Sequence, residues 1–179
     1  MIKVIKYILV MWISILGLAI TNVSAANIKS NDYAKFTKPS DSILQKKLSK
    51  IQYEVTQKNG TEISYKNEYR DNHIDWIYVD IVSGEPLFSS MDKYDSKTWR
   101  PSFTKPISSG SLTNHIDNDL WFTRTEVRSK YANSHLWHLF DDWPKPDGNR
   151  YCINSASLKF ISKKNLKKKW YSQYIKLFK

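Results

Sequence analysis

The chain contains a single cysteine, Cys152, among its 179 residues. A lone cysteine cannot form an internal disulfide, and it excludes zinc sites that are built from paired C-x-x-C motifs. The fold must therefore be stabilised by a packed core, and the chain is long enough to bury one. The hydrophobic fraction of 41% and the charged fraction of 25% are typical of a globular protein, and the length predicts one domain.

The N-terminus has the pattern of a secretory signal peptide over residues 1–25. Two lysines precede an apolar run from Tyr7 to Ile20, and the small residues Val23-Ser24-Ala25 follow. The run is short for a membrane span. We therefore predict cleavage near Ala25 and export to the periplasm or the exterior, with no stable membrane anchor afterwards. Residues 26–39 are polar and predict a flexible leader, and residues 40–179 are predicted to form the domain.

The formal net charge of +11 at pH 7 comes from scattered lysines and from a cluster between Lys163 and Lys169. Such a cluster is typical of a solvated basic helix face. No array of aromatic and basic residues that would indicate an RNA-binding module accompanies it. We therefore predict no nucleic-acid partner.

The hydrophobic pattern predicts a β-rich domain with small helices at both ends. A helix should begin at Ser40 or Asp41, and a second should carry Ile51 and Val55. The turn pair Ser83-Gly84 separates two strand-like segments, which predicts a hairpin. The predicted strands are Ile77–Val82, Glu85–Phe88, Arg124–Lys130 and Leu158–Ile161. The other predicted segments are an irregular one, Asp95–Pro106, and a helical one, Lys163–Phe178, with Leu166, Tyr174 and Leu177 as anchors.

Cys152 lies between two polar side chains at the spacing of a strand face. Alternation along a strand would place Arg150, Cys152 and Asn154 on one face, and a nearby arginine favours the reactive thiolate. The upstream segment His135–Asp142 supplies two imidazoles and two carboxylates, which are the usual acid–base support of a sulfur nucleophile. The competing interpretation is a small, buried and inert cysteine.

Seven ordered stretches between Leu44 and Phe178 match one protein family: Tyr53–Gln57, Gly60–Glu62, Ile77–Ser90, Pro101–Phe103, Arg124–Ser129, His135–Asp142 and Arg150–Leu158. In these stretches the chain resembles the type B methionine sulfoxide reductases. The resemblance implies a mainly β fold, in which two antiparallel sheets form a β-roll or β-tent with short flanking helices at both ends. It also implies reduction of the R epimer of methionine sulfoxide in oxidised proteins or peptides.

The resemblance assigns chemical roles to the residues around the cysteine. Cys152 would be the nucleophile, whose thiolate attacks the sulfoxide sulfur, releases methionine and becomes a sulfenic acid. His135 and His138 match the paired histidines of the family and would protonate the sulfoxide oxygen. Asp142 would orient one of these two rings. Arg124, Glu126 and Arg128 alternate along a strand face and are expected to form a structural ion-pair ladder.

The resemblance also implies how substrate and reductant are bound. Arg150 and Asn154 would stabilise the thiolate and polarise the bound oxygen. Position 100, a tryptophan in the family and Arg100 here, would line an apolar pocket together with Phe103. The zinc-binding C-x-x-C pairs of some members are absent, so we predict no metal and no cofactor. Thr98 stands where a resolving cysteine often lies, so an external thiol, from a thioredoxin-like protein or a small molecule, would reduce the sulfenic acid.

The tryptophans depart from the family in a systematic way. Six of the seven stand where the family has glycine: Trp76, Trp99, Trp121, Trp137, Trp143 and Trp170. Glycine usually supplies a positive φ or a close backbone approach at such positions, and tryptophan gives neither. The chain has 5 glycines, whereas an average content of about 7% predicts about a dozen. We hypothesise that UGA codons for glycine were read as tryptophan, and that a CGG or CGA codon for tryptophan was read as Arg100.

The residues also allow two other functions. Genuine tryptophans at positions 99 and 137 would favour an inactive binding protein that keeps the reductase fold. Alternatively, His135 and His138 could bind a metal in an exported protein. Positions i and i+3 of a regular strand face opposite ways, which argues against that metal site.

Overall fold

A computed structural model of the chain describes residues 33–143, 148–167 and 171–178. The predicted signal peptide, residues 26–32 of the predicted leader, and Trp170 lie outside the described residues. In the described ranges, no helix combines the length and the apolar character that crossing a membrane requires.

Two antiparallel sheets are the main regular structure of the described chain, which confirms the predicted mainly β fold. Their strands are β1 (Trp76–Asp80), β2 (Pro86–Ser89), β3 (Lys93–Tyr94), β4 (Ser102–Phe103), β5 (Leu112–Asp117), β6 (Arg124–Ser129), β7 (His135–Phe140), β8 (Arg150–Ile153) and β9 (Leu158–Ser162). One sheet has the order β2-β1-β9, and the other has the order β3-β4-β8-β7-β6-β5. Strands β7 and β8, which carry the candidate histidines and the cysteine, are therefore neighbours in the centre of the larger sheet.

Two short α-helices precede the sheets, as the periodicity predicts: α1 (Asp41–Lys47) and α2 (Lys50–Lys58). Ser49 and Gln52 form a capping box at the start of α2, because each side chain accepts a hydrogen bond from the other residue's backbone N–H. Asn59 caps the end of α2 with a left-handed backbone (φ 54°).

The C-terminal segment differs from its prediction. Instead of one helix over Lys163–Phe178, its described part contains two 3-10 helices, Lys163–Asn165 and Ser172–Phe178. Lysines at positions 163, 164, 167 and 168 place like charges four residues apart, which disfavours a continuous α-helix. Leu166 is nevertheless fully buried, and Tyr174 and Leu177 pack against the same core, as predicted. The segment Asp95–Pro106, predicted to be irregular, contains the two-residue strand β4.

The smaller sheet is buried on both faces. Tyr78 of β1 points into the core shared with the larger sheet, where it meets Phe103 and Leu136. Its neighbours Ile77 and Val79 point the other way, into a second cluster completed by Tyr33, Ile161, Leu166, Tyr171 and Phe178. Tyr33, which belongs to the predicted leader, is buried, and its hydroxyl donates to the carbonyl of Gly84 at 3.0 Å. The core thus fixes both sheets, together with Tyr33 and the described segment Tyr171–Phe178.

Candidate active site

Cys152 lies in the centre of the larger sheet and is 3% exposed. On β8 it faces Ser102 of β4 on one side and His138 of β7 on the other. Burial raises the pKa of its thiol, and the positive charges of Arg100 and Arg150 oppose that rise. The predicted thiolate-stabilising effect of Arg150 is therefore present, but burial of the sulfur outweighs it in this closed site.

Asp142 contacts Arg150 and does not orient a histidine, so that predicted role is wrong. Nε and Nη2 of Arg150 donate to the two carboxylate oxygens of Asp142 at 2.7 and 2.6 Å. Phe140 pairs with Arg150 across β7 and β8, which brings the residues just beyond Phe140 next to this arginine. The two-point ion pair fixes the guanidinium near Cys152 and lowers the pKa of Asp142.

A β-bulge in β7 places both histidines on the same side of the sheet. Val127 pairs with Trp137 and Arg128 pairs with His135, so Leu136 is an extra residue without an opposite partner. The rings of His135 and His138 are consequently 6.0 Å apart between centroids, and both are buried. The argument that i and i+3 face opposite ways is therefore wrong at this strand.

Each histidine is held by a carboxylate from another strand. Oε1 of Glu126 lies 2.5 Å from Nδ1 of His135, and Oδ2 of Asp117 lies 2.6 Å from Nε2 of His138. Burial lowers the pKa of both histidines, whereas the carboxylates oppose that change. The other ring nitrogens, Nε2 of His135 and Nδ1 of His138, are buried and have no hydrogen-bond partner among the described residues. Both rings are thus oriented by one nitrogen and keep the other available for proton transfer.

Each of the two carboxylates also forms an ion pair with an arginine. Nη1 of Arg128 lies 2.6 Å from Oε1 of Glu126, and Nη2 of Arg124 lies 2.6 Å from Oδ2 of Asp117. The ion pairs predicted as a structural ladder on β6 therefore also position the two imidazoles. Glu126 and Asp117 were missed as site residues. Glu126 was interpreted as part of a structural ion-pair ladder, and no motif marked Asp117.

Arg100 occupies the space beside the sulfur. Its guanidinium lies between the rings of Trp99 and Trp137, at 3.5 and 3.6 Å from their centroids, and the residue is 6% exposed. Its Nε donates to Oδ1 of Asn154 at 2.9 Å, and Nη2 contacts Thr61. Asn154 keeps a buried amide nitrogen without a partner. At position 100, a cation thus lies where an apolar pocket wall was expected.

Phe103 does not line a pocket beside the sulfur. It pairs with Tyr151 across β4 and β8, so it shares the face of Tyr151 and not that of Cys152. It is fully buried and stacks on Phe88 at 4.4 Å between centroids. Phe103 is therefore a residue of the core between the two sheets.

A cavity of about 410 Å³ opens in front of the two histidines. Its walls include Thr61, Glu126, Asp117 and Trp137, but Cys152 does not reach them. The sulfur lies behind Arg100 and Trp137. Elsewhere in the described ranges, as here, no group of three or more His, Cys, Asp or Glu side chains is arranged to hold a metal ion.

The tryptophans at predicted glycine positions are not equivalent. Among the described ones, Trp137 alone has a positive φ, 140°, which lies in the region that favours glycine. Trp121 is 93% exposed and meets no obstacle. Trp76 and Trp143 are packed closely on aromatic neighbours, with centroids 3.3 Å from Phe160 and 3.9 Å from Tyr94. The backbone strain expected at all these positions is therefore confined to Trp137.

Comparison with known proteins places the site in a family. The family model of the SelR domain matches residues 48–162, which include every strand that carries a site residue. The peptide methionine sulfoxide reductase MsrA/MsrB of Vibrio cholerae serotype O1 (strain ATCC 39315 / El Tor Inaba N16961) is 53% identical over 154 residues. The aligned part covers 86% of this chain and 39% of that protein, so the chain spans well under half of the relative's length. The predicted resemblance is confirmed: the chain belongs to the SelR domain family, that of the type B methionine sulfoxide reductases.

Proposed function

We propose that this chain reduces the R epimer of methionine sulfoxide in proteins or peptides, with Cys152 as the nucleophile. The observation that carries the proposal is the pairing of β7 with β8, in which Cys152 lies directly opposite His138. His135, on the same side, faces the same cavity. A sulfur nucleophile next to two carboxylate-held imidazoles has the parts that this reaction needs. Membership of a methionine sulfoxide reductase family supports the same chemistry.

In the proposed reaction, the thiolate of Cys152 attacks the sulfoxide sulfur. His135 or His138 donates a proton to the sulfoxide oxygen, which makes that oxygen transferable to the cysteine sulfur. The oxygen transfers to the cysteine sulfur as its bond to the methionine sulfur breaks. The sulfur–sulfur bond formed by the attack breaks as well, and methionine leaves as a thioether. The methionine sulfur gains two electrons, and the cysteine sulfur loses two and becomes a sulfenic acid. Glu126 and Asp117 stabilise the imidazolium forms that deliver the proton.

The reductant in this proposal is an external thiol. The chain has one cysteine, and Thr98, which lies in contact with Cys152, cannot resolve a sulfenic acid. Two thiol groups from a thioredoxin-like protein or a small molecule would return Cys152 to its thiol, with release of water and formation of a disulfide. No metal and no other cofactor takes part in these steps.

The test is turnover of each epimer of a methionine sulfoxide peptide with dithiothreitol as donor. We expect reduction of the R epimer only, and no turnover by Cys152→Ser. We also expect a loss of at least tenfold for His138→Asn, with no change for the matched control His73→Asn, whose ring is exposed. One equivalent of substrate without reductant should leave Cys152 as a sulfenic acid that dimedone traps. Turnover by Cys152→Ser would rule out the proposed nucleophile.

An inactive binding protein is the second candidate, because Arg100 and Trp137 screen the sulfur from the cavity. We propose instead that the gene encodes glycine at position 137 and tryptophan at position 100. The positive φ of Trp137 supports glycine there. The nucleotide sequence at these two codons, and peptide masses from the native organism, test the proposal directly. Tryptophan masses at position 137 would favour the inactive protein.

The proposed glycine at position 137 and tryptophan at position 100 can also be tested by comparing variants. We expect Trp137→Gly combined with Arg100→Trp to raise the rate at which iodoacetamide alkylates Cys152. Trp121→Gly, which changes an exposed tryptophan, is the matched control and should leave that rate unchanged. Equal alkylation rates in all three proteins would contradict the idea that Trp137 and Arg100 close the site.

We also propose that residues 1–25 direct export and are removed near Ala25. The charged start, the apolar run and the small residues before Ala26 support this. N-terminal sequencing of the protein isolated from its own cells, after separation of the cell fractions, tests the proposal. A cytosolic protein that begins at Met1 would contradict it.

A further inference from the structure

The last 21 residues carry most of the net charge of the chain. Residues 159–179 contain eight lysines and no acidic residue, so they contribute +8 to the formal net charge of +11. The predicted signal peptide contributes +2, which leaves only +1 for residues 26–158. Like charges gathered in one segment repel one another and do not stabilise a compact fold. An anionic partner outside the chain would offset this repulsion.

The structure gathers the described part of this segment on one surface. Nζ of Lys163, in the first C-terminal 3-10 helix, donates to the carbonyl of Phe178, at the end of the second, at 2.6 Å. Four lysines of the segment are exposed, and within the described ranges they form no ion pair: Lys159, Lys164, Lys167 and Lys176. We call these four residues the basic face.

The basic face and the candidate site lie on opposite sides of the protein. Ile153 of β8 points into the core between the two sheets, so its neighbour Cys152 points to the other face of the larger sheet. Lys159 alternates with Ile161 along β9, and Ile161 points away from that core, into the second cluster with Leu166. Both sheets therefore separate the basic face from the sulfur. A partner bound to the basic face leaves the site accessible.

The side chains among these lysines favour a lipid surface over a nucleic acid. Tyr174, Ile175 and Leu177 pack on the second cluster and remain partly exposed. Interfacial protein segments combine basic side chains with apolar and aromatic ones, which enter the boundary between headgroups and acyl chains. None of the eight cations is an arginine, the side chain that pairs bidentately with phosphates and base edges in nucleic acids. Lysines act as point charges, which suits an array of mobile anionic headgroups.

From these observations we infer that the basic face docks this protein on a membrane rich in anionic phospholipids, with the candidate site directed away from the bilayer. The docking is peripheral and reversible, because it depends on surface charge that salt screens. It does not rest on the proposed reduction, since the basic face contributes nothing to the proposed chemical steps.

The first test is sedimentation with lipid vesicles. The protein used is the processed chain that begins at Ala26, so that residues 1–25 cannot contribute. The described hydrophobic clusters lie within residues 33–178, so this chain keeps them. We expect it to sediment with vesicles of phosphatidylglycerol and phosphatidylcholine in equal parts, and to be released by high salt. It should not sediment with phosphatidylcholine alone. Absence of binding to the anionic vesicles would overturn the inference.

Two triple variants with the same loss of charge locate the binding surface. The test variant replaces three lysines of the basic face: Lys164→Gln, Lys167→Gln and Lys176→Gln. The control replaces three exposed lysines of α1 and α2: Lys46→Gln, Lys47→Gln and Lys50→Gln. We expect the test variant to partition onto the anionic vesicles about a hundredfold less, because each lysine near such a surface contributes about fivefold. The control should change by no more than about twofold. Equal losses in the two variants would contradict the assigned surface.

Fluorescence quenching by a nitroxide-labelled lipid tests the orientation. In the Cys152→Ser background, a dye is attached to one added cysteine. Gln173→Cys places the dye beside the basic face, and Ile116→Cys places it on the cavity side, where Ile116 is 78% exposed. We expect quenching at position 173 and none at position 116, and equal quenching would overturn the orientation. Tighter binding of a DNA duplex than of the anionic vesicles at the same salt, lost in the test variant, would make nucleic acid the partner and overturn the inference.

Discussion

The buried carboxyl pair Asp80 and Glu85 should make the stability of this protein depend on pH. Asp80 and Glu85 are 0% and 1% exposed, and both contact the hydroxyl of Ser83. Oε1 of Glu85 also accepts hydrogen bonds from the backbone N–H groups of Tyr131 and Ala132 at 2.9 and 3.3 Å. The pair therefore joins the β1–β2 hairpin to the turn between β6 and β7. Oε2 of Glu85 is buried and has no hydrogen-bond partner among the described residues.

The size of the effect follows from the pKa of Glu85. Burial, and then the charge of Asp80, raise this pKa from 4.5 to about 7. Between these two pH values the folded protein binds a proton that the unfolded chain has released. The free energy of unfolding must therefore decrease as pH rises through this window. The difference in pKa corresponds to a loss of about 3 kcal/mol, which is a large part of a typical total stability of about 5–15 kcal/mol.

Urea unfolding at pH 5 and pH 8 measures this loss. In Glu85→Gln the amide oxygen still accepts the two backbone hydrogen bonds, but the side chain no longer titrates. We expect the stability of the variant relative to the wild type to rise by about 2–3 kcal/mol between pH 5 and pH 8. Glu54→Gln, at an exposed position of α2, is the control and should show no such change. Parallel pH dependence of Glu85→Gln and the wild type would refute the reasoning.

Three further changes test the site and the fold. Arg150→Met should raise the pKa of the Cys152 thiol further, because a cation that opposes its rise is removed; the pH dependence of alkylation by iodoacetamide measures this. Glu126→Gln should lower the pKa of His135 and the rate of R-sulfoxide reduction at pH 7 by about tenfold, as the pH profile of kcat/KM will show. Ser49→Ala should destabilise the protein by about 1 kcal/mol in urea unfolding, because the capping box is lost.

Much of the fold could be predicted because its elements have strong local patterns. Arg124–Ser129 and Leu158–Ser162 lie within one residue of their predicted bounds, and the two helices carry their apolar residues at helical spacing. Strand β5 was missed because its burial is weak and no alternation marks it. The length of the C-terminal helix was overestimated, because a periodic apolar pattern does not reveal the repulsion between clustered lysines.

The sequence indicated which residue types lie at the candidate site, but it was a poorer guide to the contacts between them. Cys152, His135 and His138 belong to segments whose composition alone suggests chemistry. Their partners depend on strand register, which a local pattern does not contain. Asp142 is four residues from His138 in sequence, yet it faces Arg150 because the β7–β8 pairing brings those two together.

The bulge at Leu136 shows why strand register, which the local pattern does not contain, matters for function. With regular alternation, one of His135 and His138 would point into the core between the sheets, away from Glu126 or Asp117. A buried imidazole without its carboxylate would lose the partner that makes its protonated form accessible. The one extra residue keeps both rings on the cavity side, and the next residue, Trp137, has a φ of 140°. The irregularity that keeps both imidazoles on the cavity side therefore adjoins the backbone position that suits glycine, so the candidate site and the questioned tryptophan belong to the same bulge of β7.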